Sequence, residues 1–171
     1  MALLLGLGAA SGAAGPWALR EPARPSEIAC LQIEAATAYR VFAADEAHPA
    51  GAGPDDRAAL ARWMTRTLGR PALVPDLSAE GYRLLGGRTL TAMYGPAAML
   101  TYEDPRSGRI TLYVQPMRLG RVAGIQRVAA GAVDSFAWIA GRTGYSVLAP
   151  PGESGDALHG IASQLRDEMR L

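Results

Sequence analysis

Few residues in this 171-residue chain have the types and spacing that chemistry demands. Gly6, Gly8 and Gly12 come within one residue of the dinucleotide fingerprint, in which a tight glycine turn aims a helix N-terminus at a pyrophosphate. No proper strand precedes them, and Pro16 stands where the helix should run on, so no nucleotide cofactor is expected. His48 and His159 are the only histidines, and neither has a second ligand at i+3 or i+4. His48 suits a helix end, where imidazole can meet a carbonyl, and His159 falls on the exposed side of the last helix. One cysteine, Cys30, excludes both an intramolecular disulfide and a cysteine zinc cluster. It lies near the start of a helix, off the apolar stripe, where a thiol pKa can fall but a small bland residue explains it as well. Gly152-Glu153-Ser154-Gly155 has the wrong glycine spacing for a nucleophile elbow and reads as a helix cap. Glu103 and Asp104 form an adjacent carboxylate pair, but a partner for Arg109 and a turn former account for both. These residues predict no catalytic group, no cofactor and no metal ligand.

The elements that would carry them centre on one β-hairpin, residues 96–117. Asp104-Pro105-Arg106-Ser107 suits a type I turn, because Pro105 presets φ and Asp104 can accept a backbone hydrogen bond. Gly108 is expected to supply the positive φ that rejoins the ladder. The register follows: Glu103 faces Arg109, Tyr102 faces Ile110, Thr101 faces Thr111, Leu100 faces Leu112 and Ala98 faces Val114. One face is then apolar and the other carries a charge pair and a Thr pair.

Upstream, Ser26 can cap a helix carrying Ile28, Leu31, Ala35, Tyr39 and Phe42 inward, ending near residue 47 before Pro49. Asp55 and Asp56 open a second helix with Leu60, Trp63, Met64 and Leu68 inward, stopped by Gly69 and Pro71. Residues 82–90 read as a hairpin turning at Gly86-Gly87 or as one strand with a glycine bulge, and poor alternation across a tight turn favours the bulge. Residues 119–131 read as a loop or a short irregular strand. Residues 133–149 suggest a hairpin turning at Gly141–Gly144, with Trp138 facing Val147 and Phe136 facing Ala149. A final helix from about Gly155 carries Leu158, Ile161, Ala162, Leu165 and Met169 in one stripe, with Arg166 and Arg170 near its end. The fold class expected is α+β: an antiparallel sheet of about four to six strands packed against two N-terminal helices and one C-terminal helix, in two layers.

Residues 1–19 form an apolar segment without charge from Ala2 to Leu19, long enough for roughly 27 Å of helix. Trp17 followed by Arg20 and Glu21 suits a membrane interface, and Gly8 with Gly12 gives the small-xxx-small spacing of a helix–helix contact. Membrane spanning or anchoring is the expectation, against a cleaved signal or a start inside a longer helix. Residues 20–25 then form a linker, and residues 26–171 the folded domain. A net charge of +1, from 17 basic and 16 acidic residues, offers no field for nucleic acid.

Several stretches carry a family resemblance. Pro75-Asp76-Leu77-Ser78, Gly81-Tyr82-Arg83-Leu84, Gly86-Gly87-Arg88, Gly95-Pro96-Ala97-Ala98, Tyr102-Glu103-Asp104 and Leu112-Tyr113 resemble, in that order, the extracytoplasmic half of bacterial transmembrane anti-sigma factors. So do Tyr39-Arg40-Val41-Phe42, His48-Pro49 and the segment from Trp63 to Leu68-Gly69, over residues 27–150 in all. Ala50-Gly51 departs from the larger residues usual after His48-Pro49. The resemblance implies a single-pass protein of the cytoplasmic membrane whose outer domain senses a signal and whose inner domain sequesters a sigma factor. With only the apolar segment before the outer domain here, a sigma factor is an expected partner solely through a domain missing from this sequence. The other expected partners are the membrane and an extracytoplasmic protein or protease, with no nucleic acid. The competing readings are a secreted or periplasmic binding module and, third, a periplasmic enzyme with a dispersed site.

Overall fold

A computed structural model of the chain describes residues 26–42, 56–120, 122–129, 133–152 and 155–169. The apolar segment 1–19 with Gly8 and Gly12, the linker 20–25, His48, Glu153, Ser154 and Arg170 lie outside the described residues. The elements run α1 (Glu27–Phe42), α2 (Arg57–Leu68), β1 (Arg83–Ala92), β2 (Gly95–Glu103), β3 (Arg109–Pro116), β4 (Ala123–Ala129), β5 (Asp134–Ala140), β6 (Thr143–Ala149) and α3 (Gly155–Glu168). The α+β class, with two helices before the sheet and one after it, is as the sequence predicts.

The caps start and stop the helices. The Ala29 N–H donates to Ser26 Oγ at 3.3 Å, and the Ala59 N–H donates to Asp56 Oδ1 at 2.7 Å, so each side chain satisfies a donor the helix itself cannot. Gly69 ends α2 in the left-handed region at φ 66. The predicted stripe is buried at all five positions, four of them in α3 and Met169 just past its end.

All six strands form one antiparallel sheet in the order β1-β2-β3-β6-β5-β4. Two three-stranded meanders therefore meet at their third strands, β3 and β6. The β2–β3 register is the one expected, from Ala98 opposite Val114 to Glu103 opposite Arg109. Its turn differs in one residue. Ser107, not Gly108, takes the positive φ, at 65. Gly108 serves a different need: its N–H donates to Asp104 Oδ1 at 2.7 Å, and a Cβ there would lie 3.0 Å from the same carboxylate. β1 contains the preferred bulge, between Leu84 and Gly86. Residues 123–129 form a true edge strand, irregular between Ala123 and Gln126.

The β5–β6 hairpin corrects the expected register by two residues. Trp138 faces Tyr145 and Phe136 faces Val147, around a two-residue turn at Gly141-Arg142. Gly141, at φ 57, is the turn glycine. Gly144 instead lies within β6, where a Cβ would come 2.6 Å from Met117 Sδ and 2.9 Å from Leu31 Cδ2.

The layers number three rather than two, because alternate sheet residues belong to two separate cores. Ala98, Leu100, Tyr102, Leu112, Trp138 and Val147 pack with α2 and α3. Ala97, Met99, Tyr113, Ala137, Ile139 and Leu148 pack with α1 on the opposite face. A central sheet covered on both sides loses the polar face that alternation suggests. The two faces are not equivalent. Among the strand residues that share α1's face, Thr111, Gln115, Ser135 and Ser146 are polar and buried, and Gln32 of α1 is buried among this core. Thr111 Oγ1, Ser146 Oγ and Gln32 Nε2 have no hydrogen-bond partner.

Candidate functional site

On the α2–α3 face, a cavity of about 740 Å³ opens at the end of the sheet where β5 turns into β6. That size lies within the range of roughly 300–1,000 Å³ typical of small-molecule sites. Met64 and Leu68 of α2, Val114 of β3 and Met169 just past α3 supply apolar wall. The connector after α2 contributes Arg70, Pro71, Ala72 and Leu73, and the hairpin contributes Ala140 to Thr143 together with Tyr145. The cavity exists because Gly69 turns the chain out of α2 while Pro71 prevents the helix from resuming, so the connector forms a wall instead of a fourth helical turn.

Arg70 is the polar centre of this site. Its Nη1 donates to the Arg142 carbonyl at 2.6 Å and to Thr143 Oγ1 at 3.1 Å, which pins the guanidinium to the hairpin turn. Its Nε is buried without an acceptor. Among the described residues, neither Arg70 nor Arg142 has a carboxylate within ion-pair distance, and no aspartate or glutamate lines the cavity. Tyr145 shares a hydrogen bond with Thr143 and stacks on Trp138, ring centroids 5.2 Å apart and planes 12° apart. Burial pushes the Tyr145 phenol above its ordinary value, against the Thr143 hydrogen bond and the positive charge of Arg70. It stays a neutral donor and acceptor at physiological pH.

The same turn reaches the opposite face. The Arg142 carbonyl accepts a second hydrogen bond, from the Met117 N–H at 2.9 Å. Met117 and Leu31 then close over Gly144, the residue beside Tyr145. A contiguous run of contacts therefore links Arg70 through the turn to α1. The first turn of α1 is held separately, by the Leu119 N–H donating to Glu27 Oε1 at 2.9 Å.

Among the described residues, none of those singled out for chemistry in the sequence lines this cavity. Glu103 is buried between Arg83 and Arg109, with Arg109 Nε at 3.2 Å from its Oε1. Asp104 accepts from the Arg106 N–H at 2.8 Å and the Gly108 N–H at 2.7 Å, as a turn former should. His159 is exposed and packs edge-on against Phe136 at 5.2 Å. Cys30 is a half-buried free thiol in α1. Among the described residues, no group of three histidine, cysteine, aspartate or glutamate side chains could hold a metal ion, and no helix is long and apolar enough to cross a membrane.

Sequence reasoning missed Arg70, Arg142 and Tyr145 altogether. The one local signal was an arginine wedged between a helix-capping glycine and a proline, at Gly69-Arg70-Pro71. Their meeting depends on the sheet order, which no short motif encodes. No family model matches the chain, and neither the curated proteins nor the solved structures contain a match.

Proposed function

We propose that residues 26–171 form the extracytoplasmic sensory domain of a membrane-anchored regulator of the anti-sigma type, binding a signal rather than turning over a substrate. The observation that carries the binding part is the cavity. Its wall is largely apolar, its polar groups are two arginines, threonines and a neutral tyrosine, and among the described residues its lining holds no carboxylate, histidine or cysteine. General acid–base or nucleophilic catalysis draws mostly on those missing types. The anti-sigma part rests on the resemblance over residues 27–150, which spans α1, α2 and the whole sheet.

The architecture supports a route for the signal. A ligand in the cavity would press on the turn at Gly141-Arg142, and the turn contacts α1 through Met117, Gly144 and Leu31. α1 is the element that follows the linker at residues 20–25. Under this reading the outer domain itself grips no sigma factor, since that partner lies across the membrane.

The test is a pair of captures with sigma factors from the same organism. The domain 26–171 should retain neither a sigma factor nor DNA. A protein that includes any coding sequence in frame upstream of Met1 should retain a sigma factor. Tight capture by residues 26–171 alone would overturn the topology and the sensory role with it.

A further inference from the structure

We propose that the cavity takes a single-chain anionic amphiphile, with its tail along Met64, Leu68, Val114 and Met169 and its head on Arg70 and Arg142. The inference rests on the reading of the cavity as a binding site, and it names the ligand's chemical class. Three observations carry it. First, the lining is apolar at its buried positions, Thr143 excepted, and its exposed part includes Leu73 and Val122, at 48% and 80% exposure, beside the exposed Arg142. A tail can enter along that apolar part of the rim.

Second, the charge in that wall is of one sign. Among the described residues, two arginines line the cavity with no acidic residue among the lining and no carboxylate paired to either. A guanidinium beside apolar surface is poorly screened, so an anion placed there gains more than it would in water. Third, Arg70 is pinned but not satisfied. The two bonds from Nη1 hold it against the turn, while the buried Nε–H has no acceptor. A buried donor without a partner is costly, and an oxygen of a carboxylate or phosphate head would satisfy it. A purely structural role, in which Arg70 only staples the connector to the hairpin, accounts for Nη1 and leaves the Nε–H unexplained.

The experiment is isothermal titration of the full chain in phosphatidylcholine nanodiscs, with empty discs subtracted, against four probes sharing a ten-carbon tail. Decanoate and decyl phosphate should each bind one to one and at least tenfold more tightly than decanol, and decyltrimethylammonium should bind more weakly than decanol. Whichever anion binds better identifies a carboxylate or a phosphate head. Arg70→Met should remove the tenfold preference while leaving decanol affinity within twofold, and Arg70→Lys should keep part of it. If Arg70→Met fails to fold, Arg142→Met reads the same preference, because it alters an exposed side chain and retains the backbone carbonyl that Arg70 uses. Equal affinity for the anion, alcohol and cation would overturn the charge-selective inference and leave the binding role standing. Absence of binding by all four would sink the cavity as an amphiphile site. An anion preference unchanged in both arginine variants would place the head group elsewhere and refute the assignment.

Discussion

Ser107 shows how a single residue can sit against its own preference. Its φ of 65 places an L side chain in the left-handed region, at a cost of about 1–2 kcal/mol. Asp104 holds the turn closed around it, with its carbonyl accepting from the Ser107 N–H at 3.1 Å and its carboxylate from two further amides. Ser107→Gly should raise stability by about 0.5–1 kcal/mol after the entropy of the freer unfolded glycine is subtracted, read as a higher denaturant midpoint at constant slope. An unchanged or lower midpoint would mean the turn does not hold Ser107 in that conformation. The tyrosines make a second prediction. Burial raises the phenol pKa of Tyr102, Tyr113 and Tyr145. The Arg57 charge opposes the rise at Tyr102 while Asp76 and Glu168 add to it, Glu34 adds to it at Tyr113, and the Thr143 hydrogen bond and the Arg70 charge oppose it at Tyr145. A folded phenol that keeps its proton longer than the unfolded one stabilises fully below the unfolded pKa. That stabilisation fades as pH climbs from about 10, where the unfolded phenols ionise. Absorbance titration should therefore show Tyr102, Tyr113 and Tyr145 ionising late, with unfolding. Ionisation of these three near the ordinary value, with the fold intact, would contradict the burial.

At the scale of elements, α2 is seated on β1 and β2 by the close approach of Trp63 to Gly87. A Cβ at Gly87 would lie 2.6 Å from the Trp63 ring and 2.9 Å from Leu100 Cδ2. Gly87→Ala should cost about 1–3 kcal/mol as the ring is displaced, checked by chemical denaturation and by a change in tryptophan fluorescence. A neutral substitution would show that α2 can shift freely over the sheet. The β2–β3 register was legible because Asp104, Pro105 and the alternation around them are local and agree. The β5–β6 register was misread by two residues because Gly141 and Gly144 look alike in a sequence. Gly141 answers to a backbone angle, whereas Gly144 answers to Leu31 and Met117 arriving from elsewhere in the chain. The bulge in β1 was readable because alternation across a tight turn at Gly86-Gly87 is poor. The third layer was not, because Thr101, Thr111 and the Glu103–Arg109 pair suggest a solvent face. The cavity was illegible for the same reason as Gly144: Arg70 acquires its role from a turn far along the chain.

For the whole molecule, the two faces of the sheet divide the labour. The α2–α3 side is apolar at nearly all its buried strand positions, Thr143 excepted, and is further tied by Tyr102, whose hydroxyl donates to the Pro75 carbonyl at 3.0 Å. The α1 side combines apolar packing with buried Thr111, Gln115, Ser135 and Ser146. Each buried group left without a partner forgoes about 1–3 kcal/mol that water would supply on exposure. Thr111 Oγ1, Ser146 Oγ and Gln32 Nε2 are three such groups. Removing α1 would hydrate them, which offsets part of the apolar area lost. Amides in the middle of α1 should therefore exchange with deuterium sooner than those of α3, by tenfold or more. Equal protection would show that the polar layer does not weaken the docking.

The buried polar layer also bears on how the domain would answer a pulling force. α1 lies flat on the sheet, anchored at its first turn by Glu27 to Leu119, at its middle by Glu34 to Met93 and at its end by Phe42 under Arg88. Traction that lifts the start of α1 away from the sheet would load these attachments one after another, as in peeling, instead of all at once, as in shear. The Glu27 bond would part first, then the Leu31 contact over Gly144, while the sheet and α2–α3 layer stayed closed. α1 would thus yield at low tension as a separate mechanical unit, and the apolar strip beneath it, Ala97, Met99, Ala137, Ile139 and Leu148, would be uncovered without unfolding the rest.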